Sequence, residues 1–255
     1  MDFNHLTQEE KRNIQAIAVY SVKRGITNPN SQTGMLSVVG KETGFHLQSE
    51  GSYRNTPNAR IRAIFGDRVK AYSDAALTTL KANDIDFFDV VYGYKSASGR
   101  ANGNTNPGDG YKYRGHSYNQ ETYKNTFDKI GKQIGVDLVT NPDLANDPDI
   151  AAKVVVQYFI NAFDSGKKLG KLAQYHSTGI NDFTNYNDSL NAFYHANAGW
   201  GHSKADLDKD PTGGLAKARS MVATIYKVVS ENKAAAATGG TFFFSGGDNS
   251  VLPPS

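Results

Sequence analysis

The 255-residue chain contains no cysteine, which excludes disulfides, thiolate metal ligands and cysteine nucleophiles. It also lacks any apolar run near the ~20 residues needed to cross a bilayer, so membrane insertion is not expected. No one sign of charge dominates: 28 Lys and Arg face 25 Asp and Glu, for a net charge of +3. The basic residues are dispersed, without the stripe or cluster that marks a nucleic-acid partner. A pI near 8.8 suits approach to an anionic polymer such as a bacterial wall. The opening "MDFNHLTQEEKRNIQ" lacks the basic and apolar regions of a secretory signal, so synthesis without a leader is expected.

What is present is mostly helical pattern. Thr7-Gln8-Glu9-Glu10 reads as a capping box, followed at helical spacing by Ile14, Ile17, Ala18 and Val22, with Gly25 placed as a stop. "SQTGMLSVVGKETG" predicts a second helix over 31–44, and Thr56-Pro57 predicts a third, capped by Thr56. "SDAALTTLKAND" and "DFFDVVYGY" supply two more. "KSASGRANGNTNPGDG" (95–110) reads as an irregular polar loop. Helices then follow over about 120–134, from Asp147-Pro148 to a stop at Gly166, over 181–195 and over 212–231. The expectation is a mainly α domain over 1–232 with minimal β. From 233, "KAAAATGGTFFFSGGDNSVLPPS" reads as a low-complexity tail. Its Phe242-Phe243-Phe244 run either packs on the chain's own domain or docks into a partner.

Two glutamates carry the chemistry. Glu42 falls in the last turn of the second predicted helix, and Glu50 eight residues on in a loop. A carboxyl at a helix C-terminus, beside Phe45, is expected to hold its proton more tightly. A loop carboxyl is free of that constraint and suits a base. Lys41 is expected to face solvent, because adjacent helical residues diverge by about 100°. A pair of carboxyls with unequal environments is what glycosidic cleavage needs; read alone, the same spacing also fits an ordinary polar surface.

Further motifs add to this. "VVGKETGF" resembles the His-Glu-Ser/Thr-Gly stretch of family-19 glycoside hydrolases, the chitinases and phage endolysins. "GDGYKYRGHSYNQETYKNTF" is similar to that family's G-D-G-x-x-Y-R-G-R-G-x-I-Q-L-T/S segment, and "IGVDLVTNPDLANDPDIAAK" to the segment after it. "HANAG" and "AKARSMVATIY" stand where the family has I-N-G-G and its closing helix, so the likeness runs in order from about residue 7 to 231. The resemblance implies a lysozyme-like helical domain with a loop-built cleft. It implies Glu42 as general acid, Glu50 as base and Thr122 as holder of the attacking water. It also implies substrate contacts from Gln120, Asn197 and Arg219, the last pairing with a catalytic carboxylate. Arg114, in the Y-R-G core, and Tyr92 and Tyr113 join the substrate-binding set. Tyr111 and Tyr118 cluster with them around the polar loop, where aromatics either stack on sugar rings or pack in the core.

Departures are Lys41 for the family's His, His116-Ser117 for Arg-Gly, Asn119 for an apolar residue, and Glu121-Thr122-Tyr123 for Leu-Thr-Gly. The activity implied is inverting hydrolysis of the β-1,4 glycan of peptidoglycan, with carboxyls ~6.5–9.5 Å apart and no cofactor. Such a lysin would be made in the host cytoplasm and act on the cell wall, either free or held on a phage tail or baseplate through residues 233–255. A chitinase acting on N-acetylglucosamine polymers and a non-catalytic virion subunit remain open. His195 and His202 lack a third ligand at metal spacing. Asp206, Asp208 and Asp210 begin like a calcium loop but end on Lys217. No metal is expected, and 206–214 reads as surface loop.

Overall fold

The computed structural model describes residues 6–210 and 212–244. Among these the helices run, in chain order, α1 (Gln8–Lys23), α2 (Pro29–Thr43), α3 (Asn58–Phe65), α4 (Asp74–Leu80), α5 (Asp84–Val91), α6 (Ala97–Ala101) and α7 (Asp109–Lys112). They continue with α8 (Lys124–Ile134), α9 (Pro148–Lys168), α10 (Tyr186–Ala198), α11 (Lys204–Asp208), α12 (Gly214–Glu231) and α13 (Lys233–Thr238). No β-strand occurs among the described residues beyond one antiparallel bridge, His116 to Glu121, so the chain is mainly α. It groups into two compact units, Met1–His46 with Pro148–Ser255, and Leu47–Asp147.

In the first unit, α1 starts at the predicted capping box. Thr7 Oγ1 accepts from Glu10 N at 3.2 Å, and Thr7 N donates to Glu10 Oε2 at 2.6 Å. Helix α2 is capped by Asn28, whose side chain accepts from Asn30 and Ser31 N, and ends on left-handed Gly44. Every residue from Ser31 to Gly40 is buried, so α2 is the axis that α10 and α12 pack around. A buried helix must satisfy its polar side chains internally. Thr33 and Ser37 hydroxyls donate back to Pro29 O and Thr33 O, while Gln32 Nε2 reaches Ile26 O and Ala236 O. Gly34 sets the α2–α10 approach: a Cβ there would lie 2.2 Å from Ser189 Oγ and 2.9 Å from Leu190 N.

Three sequence expectations are corrected in this unit. Gly166 does not stop α9. It lies against Trp200, whose ring would meet a Cβ at 2.5 Å, and the helix continues to Lys168. Residues 206–214 are not wholly loop, because Ser203 caps the short helix α11 and Asp210 accepts from Leu215 N and Ala216 N at the start of α12. The tail expected from 233 begins as α13, with Ala236 buried. A strap then follows. Gln15 Nε2 donates to Gly240 O at 2.7 Å and its Oε1 accepts from Phe242 N. Asn232 brackets Phe243 with two bonds to its main chain. Phe242 is buried on this unit, whereas Phe243 is 73% exposed. The attachment role expected of the tail extends over 245–255, which lie outside the described residues.

The second unit is built on Ile61, Phe65, Val69, Leu77, Phe87, Phe88, Val90 and Val91, with Tyr53, Tyr72 and Tyr92 packed against them. Helix α3 begins one residue later than predicted, with Pro57 rather than Thr56 at its cap. The stretch 95–110, expected to be irregular, contains α6, which Ser96 Oγ caps through Gly99 N. Gly99 is required there, since a Cβ would come 2.0 Å from Gly93 O. Buried Asp89 then ties α5 to α7, accepting from Gly108 N at 2.8 Å and Gly110 N at 3.0 Å.

Candidate functional site

Glu50 is held in the second unit through both its main chain and its side chain. Its main chain is pinned first: Glu50 N donates to Gly115 O at 2.7 Å and Arg114 Nε donates to Glu50 O at 2.9 Å. Three donors then converge on the side chain. Tyr53 Oη lies 2.8 Å and Tyr92 Oη 3.2 Å from Oε1, and Gly115 N lies 3.3 Å from Oε2. Both phenols are pushed above their ordinary value, by burial first and by the Glu50 charge second. They therefore remain donors throughout the physiological range. The Tyr92 ring stacks on Phe88, meets Tyr123 edge-on and carries the Arg68 guanidinium 5.4 Å from its centroid. Such an array fixes one rotamer of Glu50 as an acceptor, which is what a proton-abstracting group needs.

The 115–123 segment carries the expected Gln120 and Thr122, and its backbone is unusual. Ser117, Gln120 and Tyr123 all have positive φ (68°, 54° and 75°), a conformation that costs non-glycine residues energy and concentrates at functional loops. Gln120 Nε2 donates to Gln48 O at 3.0 Å and Ser117 O at 3.2 Å. Its Oε1 would sit 2.7 Å from a Cβ on Gly115. Thr122 Oγ1 donates to Gln120 O at 3.1 Å, so both side chains are engaged with main chain. His116, fully buried, bridges Arg114 O at 2.5 Å and Asp143 Oδ1 at 3.0 Å. Burial pushes its imidazole below the ordinary value.

Tyr113 turns inward. Its ring is buried and its hydroxyl donates to Val139 O at 2.9 Å, leaving Tyr111 as the exposed aromatic of the motif. Arg114 lies over the Tyr111 ring, 4.1 Å from its centroid, and donates to Tyr111 O.

In the first unit, Glu42 occupies the last turn of α2 as predicted. The expected solvent-facing Lys41 is corrected: its Nζ lies 2.7 Å from Glu42 Oε1. The four-carbon stem spans the angular gap between adjacent helical positions, and Nζ lies 5.5 Å from the centroid of the Tyr194 ring. Asn197 Nδ2 donates to the same oxygen at 2.7 Å, so the structure does bring Glu42 and Asn197 together. Arg219, expected on a carboxylate, instead donates to Asn191 Oδ1 at 3.1 Å. His195 is structural. Burial pushes it below its ordinary value, and it joins Tyr175 Oη at 2.7 Å to His202 O at 2.9 Å. Among the described residues no group of three His, Asp or Glu side chains is arranged to hold a metal ion.

Three residues gain a significance here that the motifs alone do not give them. Tyr53 stands three residues beyond Glu50 in the same loop, a spacing that flags it. The aromatic grouping around the polar loop does not distinguish Tyr111 from Tyr113. Glu121, which stands in place of the leucine of the resembled motif, is buried, accepts a bond from Asn119 Nδ2, and burial pushes its carboxyl up to about 8. An acid where an apolar residue is expected is the signal that marks it. No family model matches the chain, and no curated protein matches it.

Proposed function

We propose that the chain is a lysozyme-like glycoside hydrolase that cleaves the β-1,4 glycan of peptidoglycan, as a phage lysin, free or carried on the virion. The observation that carries this reading is Glu50, a half-buried carboxylate oriented by Tyr53, Tyr92 and the Gly115 amide. In the proposed mechanism Glu50 takes a proton from water as that water attacks the anomeric carbon, with Thr122 helping to hold the water. The general acid is the role that the resemblance implies for Glu42, whose Oε1 accepts from Asn197 Nδ2. Bond-making by water and bond-breaking at the glycosidic oxygen are then matched by one proton taken up and one given.

A second reading, a non-catalytic chain with a hydrolase-like sequence, is favoured by Lys41. Its ammonium lies 2.7 Å from Oε1 of Glu42, the carboxyl to which the acid role assigns a proton. Zymography on purified cell wall separates the two. Clearing by wild type, and a loss of at least ~100-fold with Glu42→Gln and with Glu50→Gln, is expected of the enzyme. No clearing by wild type supports the second reading. The anomeric configuration of the first product, read by NMR, tests inversion.

A further inference from the structure

His116 is the only histidine in the sequence of the second unit, and both of its ring nitrogens face acceptors. Nδ1 lies 2.5 Å from Arg114 O and Nε2 3.0 Å from Asp143 Oδ1. A carbonyl oxygen and a carboxylate have no proton to donate, and a neutral imidazole carries one N–H. The neutral ring therefore satisfies one contact and sets a lone pair against the other oxygen. Only the ring with two protons makes both bonds. The 2.5 Å contact is too short for two facing lone pairs, so the single proton of the neutral ring stays on Nδ1. The bond that comes and goes is the one from Nε2 to Asp143. Asp143 is free to follow it, because its side chain is 74% exposed while the ring is fully buried.

The turn that carries Asp143, Pro142–Asn146, is tied to the same segment and to the residue before Glu50. Asn146 Oδ1 accepts from Ser117 N at 2.9 Å, and its Nδ2 donates to Ser49 Oγ at 2.9 Å. On the other side of His116, Gly115 N reaches Glu50 Oε2, Gly115 O accepts from Glu50 N, and Arg114 Nε holds Glu50 O. His116 thus stands between Gly115, which touches Glu50, and Ser117, which touches the turn.

Burial opposes a second proton on this ring and moves its charging below the ordinary value; the bonds to Arg114 O and Asp143 favour the proton, and the Arg114 guanidinium opposes it. Phe127 of α8 meets the ring edge-on and adds no charge. Glu121, joined to His116 main chain to main chain, is kept protonated by its own burial up to about 8, so it stays neutral while the ring titrates. The resembled motif has arginine at this place, a permanent cation. Histidine makes the charge conditional.

We propose that His116 and Asp143 form a proton-operated clasp, closed in acid and half-open at neutral pH, and that the closed clasp makes His116 a positioning residue for Glu50. Closing it fastens the 142–146 turn to residues 115–117 and steadies the Gly115 contacts of Glu50. The clasp stands on these contacts alone; its bearing on glycan cleavage rests on the function proposed above.

The test is an NMR titration of the full chain, labelled with nitrogen-15, from about pH 4.5 to about pH 7.5. The ring nitrogens report tautomer and charge, and the Glu50 and Ser117 amides report the segment. Expected are an Nδ1–H tautomer at neutral pH and one midpoint shared by the ring and both amides. Charging the ring should also slow hydrogen exchange at the two amides at least ~10-fold, after correction for the intrinsic rate. Asp143→Asn, at an exposed side chain, should lower the shared midpoint by ~1 pH unit. His116→Gln should remove that transition from both amides. Circular dichroism checks each fold, and Asp143→Asn keeps the test open if His116→Gln does not fold. The proposal is overturned by an Nε2–H tautomer at neutral pH, by a ring that titrates without the amides or not at all in this window, or by a midpoint unmoved in Asp143→Asn. Clearing of cell wall by a wild type that lacks the coupled titration removes the clasp and leaves the hydrolase. The coupled titration in a chain that releases no wall fragments does the reverse.

Discussion

Glu121 gives the sharpest quantitative prediction. Its carboxyl is 6% exposed, and burial lifts it from an ordinary 4.5 to about 8, opposed only by the Asn119 hydrogen bond. The sign follows from linkage. In the unfolded chain the group ionises near 4.5, whereas the fold keeps it protonated until about 8, so the fold binds the extra proton across that window. The associated stability is present in full below 4.5, falls as pH rises, and levels off above about 8. At ~1.4 kcal/mol per pH unit, the whole window costs about 5 kcal/mol, of which about 3 kcal/mol is already lost at neutral pH. Glu121→Gln keeps the shape and the acceptor for Asn119 while removing the ionisation. Urea denaturation of both proteins from about pH 4 to about pH 9 isolates the effect, because every other titrating group cancels in the difference. The variant should match wild type at the acid end and gain about 3 kcal/mol at neutral pH. A difference that stays within ~0.5 kcal/mol across the window would refute the reasoning, since the carboxyl would then be hydrated or paired as an anion. Glu121 sits between Gln120 and Thr122, so alkaline pH should also loosen the two residues expected to face substrate.

Two further pairs of substitutions test the packing. Gly34→Ala should cost ~1–3 kcal/mol in denaturant melts, because its Cβ meets Ser189 main chain at 2.8 Å. Gly179→Ala, with nothing within 4 Å of its Cβ, should be neutral or stabilising by up to ~1 kcal/mol, and equal effects at both sites would contradict the close α2–α10 approach. Phe242→Ala should release the strap, seen as faster hydrogen exchange at the 242 and 243 amides and a lower Tm. Phe243→Ala should stay within ~0.5 kcal/mol of wild type. Indistinguishable behaviour of the two would mean that Phe242 is not anchored.

What could be read from the sequence was local. The Thr7–Glu10 box, the Gly44 stop and the position of Glu42 in a final helical turn all depend on residues within four of each other, and the structure has them. Contacts between distant segments were not legible. Gly166 looks like a terminator until Trp200, thirty-four residues on, is seen against it. Composition hid α6, since a single serine cap and one Gly99 contact order a stretch rich in turn formers. At the candidate site, motif order located Glu50 and Gln120 but could not tell inward Tyr113 from outward Tyr111, because both stand two residues apart in an irregular stretch with no period to read. Lys41 was misplaced for a different reason: angular separation governs where Cβ points, not where a four-carbon stem delivers its charge.

The strap at 240–243 is held by two primary amides that touch only main-chain atoms. Gln15 and Asn232 thus recognise a conformation and a register, not a sequence, and Phe242 alone supplies a side-chain password. Thr241 and Phe243, both exposed, can be exchanged without disturbing the attachment. A substitution at Gln15, more than two hundred residues away, would instead unfasten it, making α1 the keeper of residues 240–242.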